Sequence, residues 1–197
     1  MLTLFHAPQT RSSRVIWLIE ELGAPVEIKY VNVQRQDGSG GIDPANPHPD
    51  GKVPALVDDG ALITESAAIF LYLTDKFPQN GIGPMIGDPL RGPYLSWLAY
   101  YAGVIEPVVN MQFAGLADNP VMNRTFRGPA EMAAKILGPL QQGPYLLGDR
   151  FSAADILIAS LGAFARQTLP PGALMDDYLK RLNDRPARAR ASARDNG

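Results

Sequence analysis

The chain has 197 residues, of which 46% are hydrophobic and 19% charged, with a formal net charge of −2 and no cysteine. This is globular composition, enough for one large domain or two small ones, and it excludes disulfides, thiolate zinc sites and a thiol nucleophile of the protein's own. The balance of charge gives no footprint for nucleic acid, and no apolar run approaches the roughly 20 residues that span a bilayer.

Met1 runs straight into a strand pattern without a basic and then apolar leader, so the expected location is cytoplasmic. Leu2 to Phe5 is short and β-prone, and Ala7-Pro8 breaks it. Ser12 and Ser13 can cap a helix whose Val15, Leu18, Ile19 and Leu22 follow the helical period, and Gly23 and Pro25 stop it. Val26 to Val33 alternates as a half-buried strand. This β-α-β order predicts two parallel strands joined by a right-handed crossover.

Gln34 to Gly51 is rich in Gly, Pro, Asp and Asn and reads as a long surface loop, the kind that is functional or mobile. Residues 55–58 and 61–64 flank Asp59-Gly60, a hairpin signal because a type I′ turn needs positive φ at both central residues. Ser66 to Phe77 returns to the helical period. Residues 1–78 are therefore expected to form a mixed four-stranded sheet with helices packed on it, and residues 79–89, with their glycines and prolines, a linker.

Residues 90–197 are expected to be all helical, with helices over 94–113, 121–140, 153–166 and 173–183. Pro107 should kink the first by removing a backbone donor. Ser152 and Asp155 form a capping box with Phe151 as its hydrophobic staple. The late arginines, Arg181, Arg185, Arg188, Arg190 and Arg194, read as a solvated helix end.

Two places can carry chemistry. Pro54 cannot donate to a sheet ladder, so Lys52-Val53-Pro54 either starts a strand in trans or forms a cis turn that exposes the Val53 backbone to an extended ligand. At Thr64-Glu65-Ser66 a strand becomes a helix. Ser66 can cap that helix, whose first amides suit a carboxylate, while Glu65 beside it suits an amino group. An α-amino acid end offers both groups, although a plain helix cap explains Ser66 alone.

Residues 5–23 (FHAPQTRSSRVIWLIEELG), 51–56 (GKVPAL) and 65–69 (ESAAI) resemble the glutathione transferase superfamily, specifically its bacterial cytosolic members. Residues 151–156 (FSAADI) and 183–186 (NDRP) are similar to that family's C-terminal capping motif and last helix, so the resemblance spans nearly the whole chain. It implies a thioredoxin-like domain followed by an all-α domain, a homodimer, a part in detoxification, and a cis Pro54. It implies glutathione as co-substrate, no metal, and a hydrophobic electrophile as second substrate. Val53 would pair its backbone with the cysteinyl part, Glu65 and Ser66 would hold the γ-glutamyl end, and Lys52, with His48 as a further candidate, would neutralise the glycine carboxylate.

A free thiol of pKa about 8.5 is only about 3% thiolate at pH 7, and lowering that pKa by two units takes roughly 2.7 kcal/mol. One hydroxyl donor supplies about 1.5–3 kcal/mol and a helix N-terminus about 0.3–1 kcal/mol, so a single Ser, Thr or Tyr is enough. Family members place that residue just after the first strand, where this chain has Thr10, Ser12 and Ser13 but no tyrosine or cysteine. By the resemblance Thr10 is the first candidate activator and Ser12 the second, with a helix cap as the rival reading of Ser12 and Arg11 as an alternative stabiliser by charge. The second substrate is expected between the domains, near His6, Tyr101 and Met111. The readings open at this stage are a transferase, with peroxidase or disulfide reductase activity as sub-classes, and a non-catalytic binding or interaction module.

Overall fold

The computed structural model describes residues 1–196. The first elements are β1 (Leu2–His6), α1 (Ser13–Leu22), β2 (Glu27–Tyr30), β3 (Ala55–Asp58), β4 (Ala61–Ile63) and α2 (Ser66–Lys76). β1 pairs with β2 in parallel and with β3 antiparallel, and β3 pairs antiparallel with β4, giving the order β2-β1-β3-β4. Asp59 (φ 47°) and Gly60 (φ 89°) both take positive φ, which fits the type I′ signal and sets Asp58 opposite Ala61. Gly23 ends α1 in the left-handed conformation, its N–H donating to the Ile19 carbonyl.

Leu2 and Leu4 of β1, Val15 to Ile19 of α1 and Ile69, Phe70 and Leu73 of α2 make the core of this part. β2 is an edge strand and ends at Tyr30, short of the expected Val33. Val31, whose N–H still donates to the His6 carbonyl at 2.8 Å, and Val33 lie beyond the strand yet stay buried, clustering with Ala7, and Phe5 and Val53 pack against them.

The remaining helices are α3 (Arg91–Tyr100), α4 (Glu106–Phe113), α5 (Pro120–Phe126), α6 (Pro129–Leu140), α7 (Ala153–Ala165), α8 (Ala173–Asn183) and α9 (Pro186–Asp195). The single kinked helix expected over 94–113 is instead α3 and α4 joined by a π-helical turn at Tyr101–Ile105. Pro107 sits in the first turn of α4, where its missing N–H costs least, and the wider turn absorbs the disrupted hydrogen-bond ladder. The helix expected over 121–140 divides between α5 and α6, because Gly128-Pro129 ends one run and starts the next.

The residues group into two compact units, Met1–Asn80 with the segment from Arg185 onward, and Gly81–Asp184. The first break lies inside the stretch predicted as a linker. The last helix goes with the first unit, whereas the sequence placed residues 90–197 in one all-helical part. The reason is electrostatic and steric. Ala187 and Ala191 let α9 pack closely on α1, Arg185 pairs with Glu21, and Arg190 and Arg194 pair with Glu20. The arginines read as a solvated helix end are thus largely an interhelical clamp.

In the second unit the capping box forms around Asp155. Its carboxylate accepts from Ser152 N–H at 2.8 Å, Ser152 O–H at 3.0 Å, Leu146 N–H at 2.9 Å and Tyr178 O–H at 2.8 Å, fixing the head of α7 to its surroundings. Among the described residues no helix is long and apolar enough to cross a membrane.

Candidate functional site

The strand order brings three separated segments to one edge of the sheet. Phe5 at the end of β1 lies opposite Ala55 at the start of β3, so the chain leaving β1 meets the chain entering β3. Leu56 lies opposite Ile63 in the next pair, so the chain leaving β4 emerges at the same edge. Residues 7–13, 51–54 and 64–66 therefore converge, although up to some fifty residues separate them in sequence. This is the carboxyl end of β1, where open α/β sheets place their ligands.

The first segment is a tight loop. Gln9 takes positive φ (55°), and its N–H donates to Asp195 Oδ2 at 3.2 Å. Thr10 is half-buried, and its hydroxyl donates to the Ala7 carbonyl at 2.7 Å and lies 2.7 Å from Ser12 Oγ. Ser12 is fully buried and its side chain makes no cap bond to α1. Its hydroxyl instead lies 2.7 Å from His6 Nδ1 and within 3.3 Å of both the Ala7 N–H and the Ala7 carbonyl. Arg11 is exposed at the head of the helix.

The second segment carries the Val53–Pro54 peptide, which is cis. Val53 precedes the first paired residue of β3, so its backbone lies outside the ladder. Lys52 is exposed, and its carbonyl accepts from Asn46 Nδ2 at 3.0 Å. The same Asn46 accepts from His48 N–H at 3.1 Å, so one buried amide holds the loop that delivers Val53. His48 accepts from Asp50 N–H at 3.1 Å and is half-buried in that loop.

In the third segment Glu65, not Ser66, occupies the cap position of α2, and Ser66 is the helix's first residue. The first intrahelical bond runs from Ile69 N–H to the Glu65 carbonyl, so the amides of residues 66–68 precede the ladder and remain donors at its positive end. Glu65 is exposed and takes φ 67°, ψ 122°, a conformation that non-glycine residues adopt at a cost of about 1–3 kcal/mol and mostly where function requires it. A carboxylate held beside a row of free amides suits a zwitterionic amino acid end. A hydroxyl and an unpaired backbone edge lie at the same side of the sheet.

His6, Tyr101 and Met111 are all buried, His6 in the first unit and the other two in the second. His6 is 0% exposed, and both ring nitrogens have partners, Ser12 Oγ on one side and the Asp195 carbonyl at 3.1 Å on the other. Burial pushes its imidazole below the ordinary value, against the hydrogen bond and charge of Asp195, which pull it up. Asn46 and Asp195 were not singled out in the sequence. A lone asparagine in a polar loop gives no signal of burial, and Asp195 meets His6 across 189 residues.

The N-terminal domain family model of glutathione S-transferase matches residues 1–75. Glutathione S-transferase 3 of Schizosaccharomyces pombe is 42% identical over 77 residues, which span 39% of this chain and 31% of that protein. Glutathione S-transferase F10 of Arabidopsis thaliana is 30% identical over 172 residues, spanning 79% of this chain and 77% of that protein. Among solved structures, a glutathione transferase from Methylococcus capsulatus superposes with a TM-score of 0.79 at 25% identity, over 100% of this chain and 99% of that one.

Proposed function

We propose, on the premise that the chain belongs to the glutathione S-transferase family, that it binds glutathione at the carboxyl edge of the sheet and activates the thiol through Thr10. Glu65 takes the γ-glutamyl ammonium and the first amides of α2, beginning at Ser66, take its carboxylate. The Val53 backbone, set by Pro54, pairs with the cysteinyl unit, and Lys52 and Arg11 supply positive charge for the glycine carboxylate and the sulfur. The observation that carries this reading is the convergence of the Thr10 loop, the cis Val53–Pro54 turn and the strained Glu65 at one sheet edge.

The reaction follows from the groups present. With no protein thiol, the nucleophile is the glutathione sulfur, and Thr10 donates a hydrogen bond to it as it becomes anionic. The thiolate then attacks an electrophilic carbon of a hydrophobic small molecule. A hydroperoxide or a mixed disulfide would be attacked by the same sulfur, so peroxidase and disulfide reductase activities belong to the same site. A homodimer, a cytoplasmic location and a role in detoxification go with this proposal.

The test is a glutathione titration of the chain and its Glu65→Ala variant, with rates on an aryl halide, a hydroperoxide and a mixed disulfide. Loss of the Glu65 carboxylate is expected to weaken affinity about 10- to 100-fold, the worth of one charge-assisted hydrogen bond. Unchanged affinity would remove Glu65 from the site, and no activity on any of the three substrates would count against an enzyme.

A further inference from the structure

The Thr10 hydroxyl is the outer end of a polar chain that runs inward. Thr10 Oγ1 lies 2.7 Å from Ser12 Oγ, and Ser12 Oγ lies 2.7 Å from His6 Nδ1. His6 Nε2 lies 3.1 Å from the Asp195 carbonyl and 3.5 Å from Asp195 Oδ1, a buried oxygen with no hydrogen-bond partner. Donor counting assigns the hydrogens. A carbonyl only accepts, so Nε2 carries the hydrogen and the neutral ring presents its lone pair at Nδ1. Ser12 O–H fills that lone pair with its one hydrogen. Ser12 Oγ is then an acceptor, for Ala7 N–H at 3.3 Å and, when the single Thr10 hydrogen turns to it from the Ala7 carbonyl, for the Thr10 hydroxyl.

Ser12 and His6 are each 0% exposed, so neither can touch a substrate, and whatever they contribute must pass through Thr10. Resting on the role proposed for Thr10, we infer that His6 is the acceptor for the proton that glutathione loses on ionising, with Thr10 and Ser12 as the relay. The hydrogen of the thiol passes to Thr10 Oγ1 as the S–H bond breaks, the Thr10 hydrogen passes to Ser12 Oγ, and the Ser12 hydrogen passes to His6 Nδ1. One thiolate and one imidazolium result, and both hydroxyls end neutral. Every bond in the chain has then reversed. His6 donates to Ser12, Ser12 to Thr10, and Thr10 to the sulfur.

The surroundings suit an acceptor that rests neutral. Burial favours the uncharged ring, and the Asp195 carboxylate on α9 faces the cation once it forms. The Tyr30 ring from β2 stands edge-on at 5.4 Å, and Arg11 and Arg14 are the charges at the head of α1. An ordinary imidazole at about 6.5 lies two units below a free thiol at about 8.5, and burial lowers His6 further, so the transfer depends on the reversed chain and on Asp195. By contact, His6 and Ser12 are positioning residues.

The test measures protons and thiolate together. The full chain in weak buffer with an indicator dye is mixed with glutathione near pH 7, and thiolate absorbance is followed alongside proton release. S-methylglutathione, which has no thiol proton, supplies the background. The unaltered chain is expected to release fewer than about half a proton per thiolate formed. Ser12→Ala and His6→Asn are expected to release about one, and to raise the apparent thiol pKa by about one unit, which is roughly tenfold less thiolate at neutral pH. About one proton released per thiolate by the unaltered chain overturns the relay and leaves the glutathione reading standing, a result that requires no variant to fold. Glutathione binding without thiolate, or no binding, overturns the role of Thr10 and the relay with it.

Discussion

Thr10 Oγ1 donates to the Ala7 carbonyl at 2.7 Å and accepts from Ser12 N–H at 3.2 Å, so the hydroxyl is oriented by the loop itself. Thr10→Val keeps the shape and removes the hydrogen. The loss is expected to raise the apparent pKa of bound glutathione by about 1–2 units and to lower kcat/KM by about 10- to 100-fold at neutral pH, the equivalent of one hydrogen bond to an anion. Glutathione affinity should change little, and Thr10→Ser should restore the rate. Steady-state kinetics with a pH titration of the bound thiol separates these quantities. At this scale the sequence was partly legible. A hydroxyl after the first strand was visible, and so was a Glu beside a helix start. That Ser12 turns inward to His6 instead of capping α1 was not, because both uses place a serine at the same position.

At the scale of elements, each unit has its own device that holds its helices. Glu20 is pulled by burial toward a higher pKa, but hydrogen bonds and charge from Arg194 and Arg190 outweigh that and lower it. A carboxyl lowered in the folded state contributes stability that is complete above its unfolded value, near 4.5 here, and is lost as pH falls through the folded value. Thermal unfolding across the carboxylate range should therefore show α9 docking weaken in acid, and Glu20→Gln should remove that part of the acid sensitivity. In the second unit, Asp155→Ala would leave the amides of Leu146 and Ser152 and the Tyr178 hydroxyl without their buried acceptor. The expected destabilisation is about 3–5 kcal/mol, read from denaturant unfolding. Regular elements were legible wherever the pattern is local. The Asp59-Gly60 hairpin, the Gly23 stop and the 152–155 capping box rest on neighbouring residues, and all three form. The clamp between α9 and α1 joins residues 164 to 174 apart, and no local pattern announces which glutamate an arginine will meet. The π-helical turn before Pro107 escaped for a related reason, since a proline signals a break but not the geometry that absorbs it.

For the whole molecule, the order of elements decides where the chemistry can sit. An antiparallel β3 beside β1, followed by a hairpin, returns residues 51–54 and 64–66 to the edge where residue 10 already lies. A parallel β3 would have sent them to the opposite end. That convergence is topological: the element order β-α-β-β-α was legible, but the antiparallel placement of β3 beside β1 was not, and the Gly-rich loop over 34–51 hid how Asn46 anchors the approach to Val53. The most direct measurement is a calorimetric titration of the unaltered chain with glutathione, repeated across pH while thiolate absorbance is followed. The expected result is saturable binding with an apparent thiol pKa well below the free value of about 8.5. No binding at millimolar glutathione, or binding with an unshifted thiol, would contradict the assignment of this sheet edge as a thiol-activating glutathione site.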